Sequence, residues 1–282
     1  MNTRKRKYTT TILATALLFS LGGCVKDELH DTPHPDTGKV TVTVDWSDRG
    51  EGVDIPAEWT VTMGDYTGTE TGTTHTPDYL FNPGSYTLAA YNTPENITVS
   101  GTTATVAPET GNGTYISNVP GWLFTSVQDV TIEADTDYGL TAAMHQQVRQ
   151  LTLVIEPTGD AADRIESIEG ALSGAAGTMD FATGTYGAAS DVALHFTKIT
   201  EGSDAGKWTA TVRLLGIAGD TQRLTATLTY ADGNPADTGL ESDLTAALAD
   251  FKAHTTAPPT RGDPLAETPT KPGDETGHTD RE

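Results

Sequence analysis

Apolar and polar residues alternate one by one in the first patterned stretch of the chain. Val40, Val42 and Val44 fall on one side and Thr41, Thr43 and Asp45 on the other, a period of two that predicts a strand with one apolar face. Trp59, Val61 and Met63 repeat the pattern after Pro56, and Tyr86 to Tyr91 follows the turn signal Asn82-Pro83-Gly84. Residues 64–78, rich in Gly and Thr, read as turns, and 108–121 as a loop holding Asn112-Gly113 and Pro120-Gly121. Short apolar runs at 97–99, 104–106, 122–124, 127–132 and 138–144 supply further strands. Strands of this length, with turn chemistry between them, predict a sandwich.

The pattern restarts at Gln147. Residues 148–155 read as the longest strand, and both of its faces turn apolar toward the end, as in a buried strand. Asp160 to Ile165 predicts one helical turn with Asp160 as its cap. Ile165 to Leu172 and Thr178 to Tyr186 form weaker strands around a small-residue loop at 173–177. Val192 to Phe196, Trp208 to Leu215 and Leu224 to Tyr230 alternate well, and Asp232-Gly233 marks a turn. Leu244, Leu248 and Phe251 lie at helical spacing, with Asp243 placed to cap. Beyond His254 the chain is Pro, Thr, Gly and charge, so 255–282 reads as a disordered tail. The expected fold class is all-β: two tandem sandwiches, over 38–146 and 147–254, with one short helix.

The start of the chain changes the picture from fold to location. Arg4, Lys5, Arg6 and Lys7 precede an apolar run from Ile12 to Leu21, which ends in Gly22-Gly23-Cys24. A basic start, an apolar middle and small residues at the cut are the layout of an export signal. The run is about half the ~20 residues of a spanning helix. Cys24 is the only cysteine of the 282 residues, and its thiol can take a thioether-linked diacylglycerol. The expectation is a lipoprotein signal over 1–23, cleavage between Gly23 and Cys24, lipidation at Cys24 and a tether over 24–37. With two or more acyl chains, palmitate among them, the anchor in the outer membrane is stable. Lys26, Asp27 and Glu28 resemble the lysine-plus-acidic export signal of surface lipoproteins, which points the chain to the cell exterior. With Cys24 lipidated no disulfide is open to the chain, so burial and strand pairing must hold it together.

Cleavage removes four basic and no acidic residues, leaving 259 residues with 13 basic against 39 acidic, a balance of −26. Such a field repels nucleic acid and anionic membrane surfaces. The sequence carries no G-x-S-x-G elbow, no H-E-x-x-H and no phosphate-loop motif; Gly202 to Lys207 is one residue short of the last and reads as a hairpin loop. His30, His34, His75, His145, His195 and His254 lack metal-ligand spacing, and no calcium-loop pattern occurs. No cofactor, metal or enzymatic activity is expected. Trp46, Trp59, Trp122 and Trp208 lie on strands, so core packing outweighs a sugar-stacking platform. Arg261-Gly262-Asp263 is a triplet that some host receptors bind, here in a polar tail where it arises readily by chance.

Several patches together carry a resemblance. His34-Pro35, Thr37-Gly38-Lys39-Val40 through Asp45-Trp46-Ser47, Asn82-Pro83-Gly84-Ser85-Tyr86 with Tyr91-Asn92, Met144 to Leu151 around Arg149, and Leu244-Thr245 through Asp250-Phe251 stand in that order. They resemble the FimB-type fimbrial anchor lipoproteins of type V pili in anaerobic Gram-negative bacteria. The resemblance implies two transthyretin-like sandwiches and a role as anchor or terminal subunit, joined to fimbrial subunits by strand donation. Members continue into a final strand, whereas Pro258, Pro259 and Pro264 leave the tail here unfit for one. The chain is therefore expected to accept a strand rather than give one, at the edge Val40, Val42 and Val44 or the gap beside it. The competing reading is a surface adhesin that binds glycan or host, which a cluster of exposed aromatics on one face would favour.

Overall fold

The computed structural model of the chain describes residues 36–252 and 265–267, and all statements below concern these residues. The first half holds β1 (Lys39–Asp45), β2 (Trp59–Met63), β3 (Tyr66–Glu70), β4 (Thr74–His75), β5 (Gly84–Tyr91), β6 (Ile97–Ser100), β7 (Thr103–Val106), β8 (Pro108–Glu109), β9 (Asn112–Ile116), β10 (Phe124–Ile132), β11 (Asp137–Ala143) and β12 (His145–Gln146). The second half holds β13 (Arg149–Ile155), β14 (Ile165–Ala176), β15 (Thr178–Asp180), β16 (Thr185–Tyr186), β17 (Ala189–Lys198), β18 (Trp208–Leu214), β19 (Arg223–Tyr230), β20 (Thr238–Asp243) and β21 (Leu265–Glu267). The fold is all-β, as the alternation predicts.

In the first half a three-stranded sheet, β11-β1-β4, faces a five-stranded one, β12-β10-β5-β2-β3. The alternating valines of β1 and the Trp59, Val61 and Met63 face of β2 are buried in one core with Leu88, Phe124 and Ile132. In the second half β14 lies between β17 and β19, while β13 pairs with β18 along its whole length. β17 pairs with β14 over Ala189–Phe196, then passes to β18 at Thr197 and Lys198, so one strand turns the corner between two layers. Ile168, Leu172, Val192, Leu194 and Val212 meet Leu151, Leu153 and Trp208 in the core between them. β13 buries Leu151, Leu153 and Ile155 and half-buries Val154, as its two apolar faces predict.

Several expectations are corrected. The longest strand is β14, with 12 residues, because the small-residue loop expected at 173–177 is mostly strand. The ladder to β17 slips between Leu172 and Ala175, and Gly174 at φ +80 takes the left-handed turn of that bulge. No α-helix occurs among the described residues. The turn after Asp160 is a 3₁₀ turn, Ala162–Arg164, with no side-chain cap. The helical spacing over 240–251 resolves into β20, a turn and a 3₁₀ turn at Ala249–Lys252. Asp243 does cap locally: its Oδ1 accepts from the N–H of Thr245 at 2.9 Å. Within the tail, Leu265–Glu267 forms a strand that pairs parallel to Leu153–Ile155 of β13. Residues 64–78 hold β3 and β4, and 108–121 hold β8 and β9, where only turns and loop were expected.

Candidate strand-exchange site

β1 is not an edge. Along its whole length it pairs in parallel with β11, from Lys39↔Asp137 to Asp45↔Ala143. On its other side lies the segment from Thr73 to Phe81, and this neighbour is interrupted. Val42↔His75 and Thr43↔Thr74 are paired, and Val44 N–H donates to Thr73 O at 2.9 Å. The next pairing is the bridge Gly38↔Phe81. Between these points residues 39–41 of β1 stand opposite residues 76–80, so two extra residues, with Pro77 among them, leave the ladder. The N–H groups of Gly38 and Val44 both point to this side, so by alternation Val40 does too. Val40 has no ladder partner there among the described residues. Val40, Val42 and Val44 are all buried, as predicted. Of the two expected places, β1 itself is an inner strand rather than an edge, and the gap beside it is an interruption in its ladder to residues 73–81.

Aromatic rings crowd the same place. Phe81 is buried, with Tyr79 at 4.7 Å, Tyr86 at 5.8 Å and Tyr66 at 6.2 Å between ring centroids. Tyr79 is 38% exposed and Leu80 56%, so the excursion that leaves the ladder also carries the apolar surface. Tyr66 lies back across Gly68, where any Cβ would collide with its ring. Its hydroxyl bonds His75 Nε2 at 2.6 Å, and His75 Nδ1 meets Glu70 Oε1 at 2.9 Å. The carboxylate accepts a hydrogen bond from Nδ1–H, which leaves Nε2 to accept from the Tyr66 hydroxyl. Burial first, and the Glu70 charge second, push the Tyr66 hydroxyl above the usual tyrosine range. The three side chains clasp β4, in one sheet, to β3, the edge of the other.

The other singled-out residues are dispersed. Gly23, Cys24, Lys26, Asp27, Glu28, His30, His34, His254 and the Arg261–Asp263 triplet lie outside the described residues. His145 pairs with Asp48 at 2.8 Å, and His195 meets Glu169. Trp46, Trp59 and Trp208 are buried, while Trp122 is half-buried beneath the Arg213 guanidinium at 5.3 Å. Gly202 to Lys207 closes the hairpin between β17 and β18, with Gly206 N–H donating to Ile199 O at 2.8 Å. No group of three metal-ligating side chains occurs among the described residues, nor any helix long and apolar enough to cross a membrane. Sequence reading missed the clasp, because its members come from a stretch read as turns.

Solved structures share this architecture. A candidate adhesin of Bacteroides ovatus superposes with a TM-score of 0.59 at 15% identity, over 84% of this chain and 94% of its own. The fimbrial anchor protein Mfa2 of Porphyromonas gingivalis gives 0.53 at 16% identity, over 77% and 87%. A candidate polysaccharide-binding protein of Bacteroides thetaiotaomicron gives 0.51 at 10%, over 71% and 78%. No curated protein matches the sequence. The fold is therefore one found in a fimbrial anchor protein and in candidate adhesins. The family follows from the sequence: the model of the fimbrillin-A associated anchor proteins Mfa1 and Mfa2 matches residues 58–258, and the chain belongs to that family. The fimbrial-anchor resemblance is thereby borne out. The family is of a fimbrial-anchor type, one not known for catalysis.

Proposed function

We propose that this chain is a lipid-anchored surface protein that holds a fimbrium at the outer membrane, as anchor or terminal subunit, and takes a strand from a neighbouring subunit into the gap beside β1. The interrupted ladder between Val42↔His75 and Gly38↔Phe81 carries this reading. A donated strand there would pair with Val40 and bury alternate apolar side chains against the aromatic group. The acceptor direction is supported by the tail, whose short strand β21 is already paired with β13 of the same chain. Two sandwiches in tandem, over 38–146 and 147–254, would then link tether to fimbrium.

The test is site-specific photocrosslinking in cells that assemble the fimbrium. A crosslinker at Leu80 should capture a fimbrial subunit, and one at Thr238, on the open edge of β20, should not. Capture at Thr238 alone would move the site, and capture at neither position from intact fimbriae would refute strand acceptance. Lipidation is tested separately: labelled palmitate should enter the wild type and not Cys24→Ser. The exposed ring of Tyr79 beside Tyr66 favours a second reading, glycan binding at the same surface. Under that reading Tyr79→Ala abolishes glycan-array binding and leaves subunit capture at Leu80 intact.

A further inference from the structure

We infer that the two halves of the chain are fused by a third, shared β-element and unfold under tension or denaturant as one unit. The inference rests on geometry alone and holds whichever partner the surface takes.

The hairpin β6–β7 leaves the first half and the pair β15–β16 leaves the second. They meet edge to edge: Thr105↔Thr178, Ala104↔Met179 and Thr103↔Asp180 are antiparallel partners. Val106 N–H donates to Gly177 O and Phe181 N–H to Thr102 O, each at 2.9 Å, which extends the ladder at both ends. The result is a four-stranded sheet, β16-β15-β7-β6, with two strands from each half. It has a core of its own, in which Ile97, Ala104, Val106, Met179, Phe181 and Leu215 are all buried.

Two further ties cross between the halves. β9 pairs in parallel with β17 at Tyr115↔Asp191 and Ile116↔Val192. The loop that follows is pinned by Asn118, whose Nδ2 donates to Ala193 O at 3.1 Å and whose carbonyl accepts from Arg213 N–H at 2.8 Å. Domains that move against each other meet through few contacts and a flexible linker. Here any relative rotation must break ladder bonds and open a buried apolar cluster in the same step. Two elements pulled in series fail one after the other only if each can fail alone, and the shared sheet removes that option.

The experiment uses the intact chain with its four tryptophans fluorine-labelled. In a urea titration followed by fluorine NMR, Trp59 reports the first core and Trp208 the second. The wild type should show one midpoint for both. Ala104→Asp, which sets a carboxylate against Met179 in the shared core, should split them by roughly 1 M. The gentler pair Asn118→Ala, which removes the side-chain bond to Ala193, and Arg213→Ala, which removes the guanidinium lying over Trp122, should split them by less, and it serves if Ala104→Asp does not fold. Single-molecule extension of the wild type should release both halves in one step of roughly 700 Å, at about 3.3–3.6 Å per residue. Two midpoints or two steps in the wild type, or variants that lower both midpoints together, would overturn the inference.

Discussion

Asn92 offers the sharpest test of how the first half is held. It is 5% exposed, and its side chain stitches the end of β5 to the entry of β10. Nδ2 donates to Trp122 O at 2.9 Å, and Oδ1 accepts from Phe124 N–H at 2.7 Å. Asn92→Leu keeps the branched shape and removes both bonds, which leaves one backbone donor and one acceptor without partners. Each orphaned group costs about 1–3 kcal/mol, for a total of about 2–6. The gain from an apolar side chain offsets about 1 kcal/mol, so the net loss is about 3 kcal/mol. At about 3 kcal/mol per M, the urea midpoint should fall by about 1 M. Asn92→Asp keeps the acceptor for Phe124 but sets a carboxylate oxygen against the Trp122 carbonyl. Its loss should be present at pH 7 and shrink as the pH falls and the acid is protonated and can donate, a change that burial and the facing carbonyl move above the usual carboxylate range. The control is Thr87→Val, which loses only an exposed bond to Asp129 and should move the midpoint little. If Asn92→Leu shifts the midpoint no further than Thr87→Val does, the two bonds do not hold the strands.

Tyr66→Phe removes the hydroxyl from the clasp and should cost about 1 kcal/mol, seen by calorimetry as a Tm lower by about 2–4 °C. Gly68→Val should cost more than Tyr66→Phe, since its Cβ takes the space of the Tyr66 ring as well as breaking the clasp. Phe81→Ala should lose about 3–5 kcal/mol in urea unfolding, as a buried ring at the centre of the aromatic group. Asp180 is held below the usual carboxylate range by the Thr102 hydroxyl first, with further bonds from Ala182 and Thr183 outweighing its burial. The unfolded chain therefore takes up this proton at higher pH than the folded one, and the stabilisation present at neutral pH is lost as pH falls through the folded value. Asp180→Asn should flatten the stability profile below pH ~4 and leave its slope between pH 6 and 8 unchanged.

What could be read in advance followed from periodicity. Val40, Val42 and Val44 alternate strictly and are buried, and Trp59, Val61 and Met63 do the same. The strands that escaped notice have no apolar face to reveal them. β3 is Tyr-Thr-Gly-Thr-Glu, with no buried position, and is a strand because β2 offers it a ladder from Trp59↔Glu70 to Met63↔Tyr66. β14 hides for the opposite reason: Ser173 to Ala176 are small residues, read as a loop, that suit a crowded bulge where Ala175 and Ala176 are buried. The helix expected over 240–251 failed because Leu244, Leu248 and Phe251 reach the core from successive turns, a spacing that chain reversals can also produce. Least legible was the status of β1. Alternation says which face of a strand is buried, and it is silent on what lies at either edge.

That silence matters for where a partner strand can enter. Among the strands that end the sheets are β3 and β20, and these two are poor receivers. β20 presents Glu241 and Asp243 in exposed positions, and charge along an edge is a common guard against strand addition. β3 buries nothing, and its clasp with His75 occupies Tyr66 and Glu70. A strand laid on either edge would gain backbone bonds and little apolar burial. The gap beside β1 offers both. Buried Val40 and Val42 lie on one side, and the half-exposed Tyr79 and exposed Leu80 form the other lip. Burying one leucine-sized side chain there contributes about 1.5–3 kcal/mol, comparable to several exposed ladder bonds. The incoming strand would displace a neighbour held to β1 by two residue pairs, the Gly38↔Phe81 bridge, the Val44 N–H bond to Thr73 O and the hydroxyl contacts Thr41–Thr76 and Thr43–Thr74. On the proposed strand acceptance, the side chains that flank the gap would set its specificity. A donor segment with alternating apolar residues should compete for it, and the same segment with those positions changed to Ser should not, as measured by loss of subunit capture at Leu80.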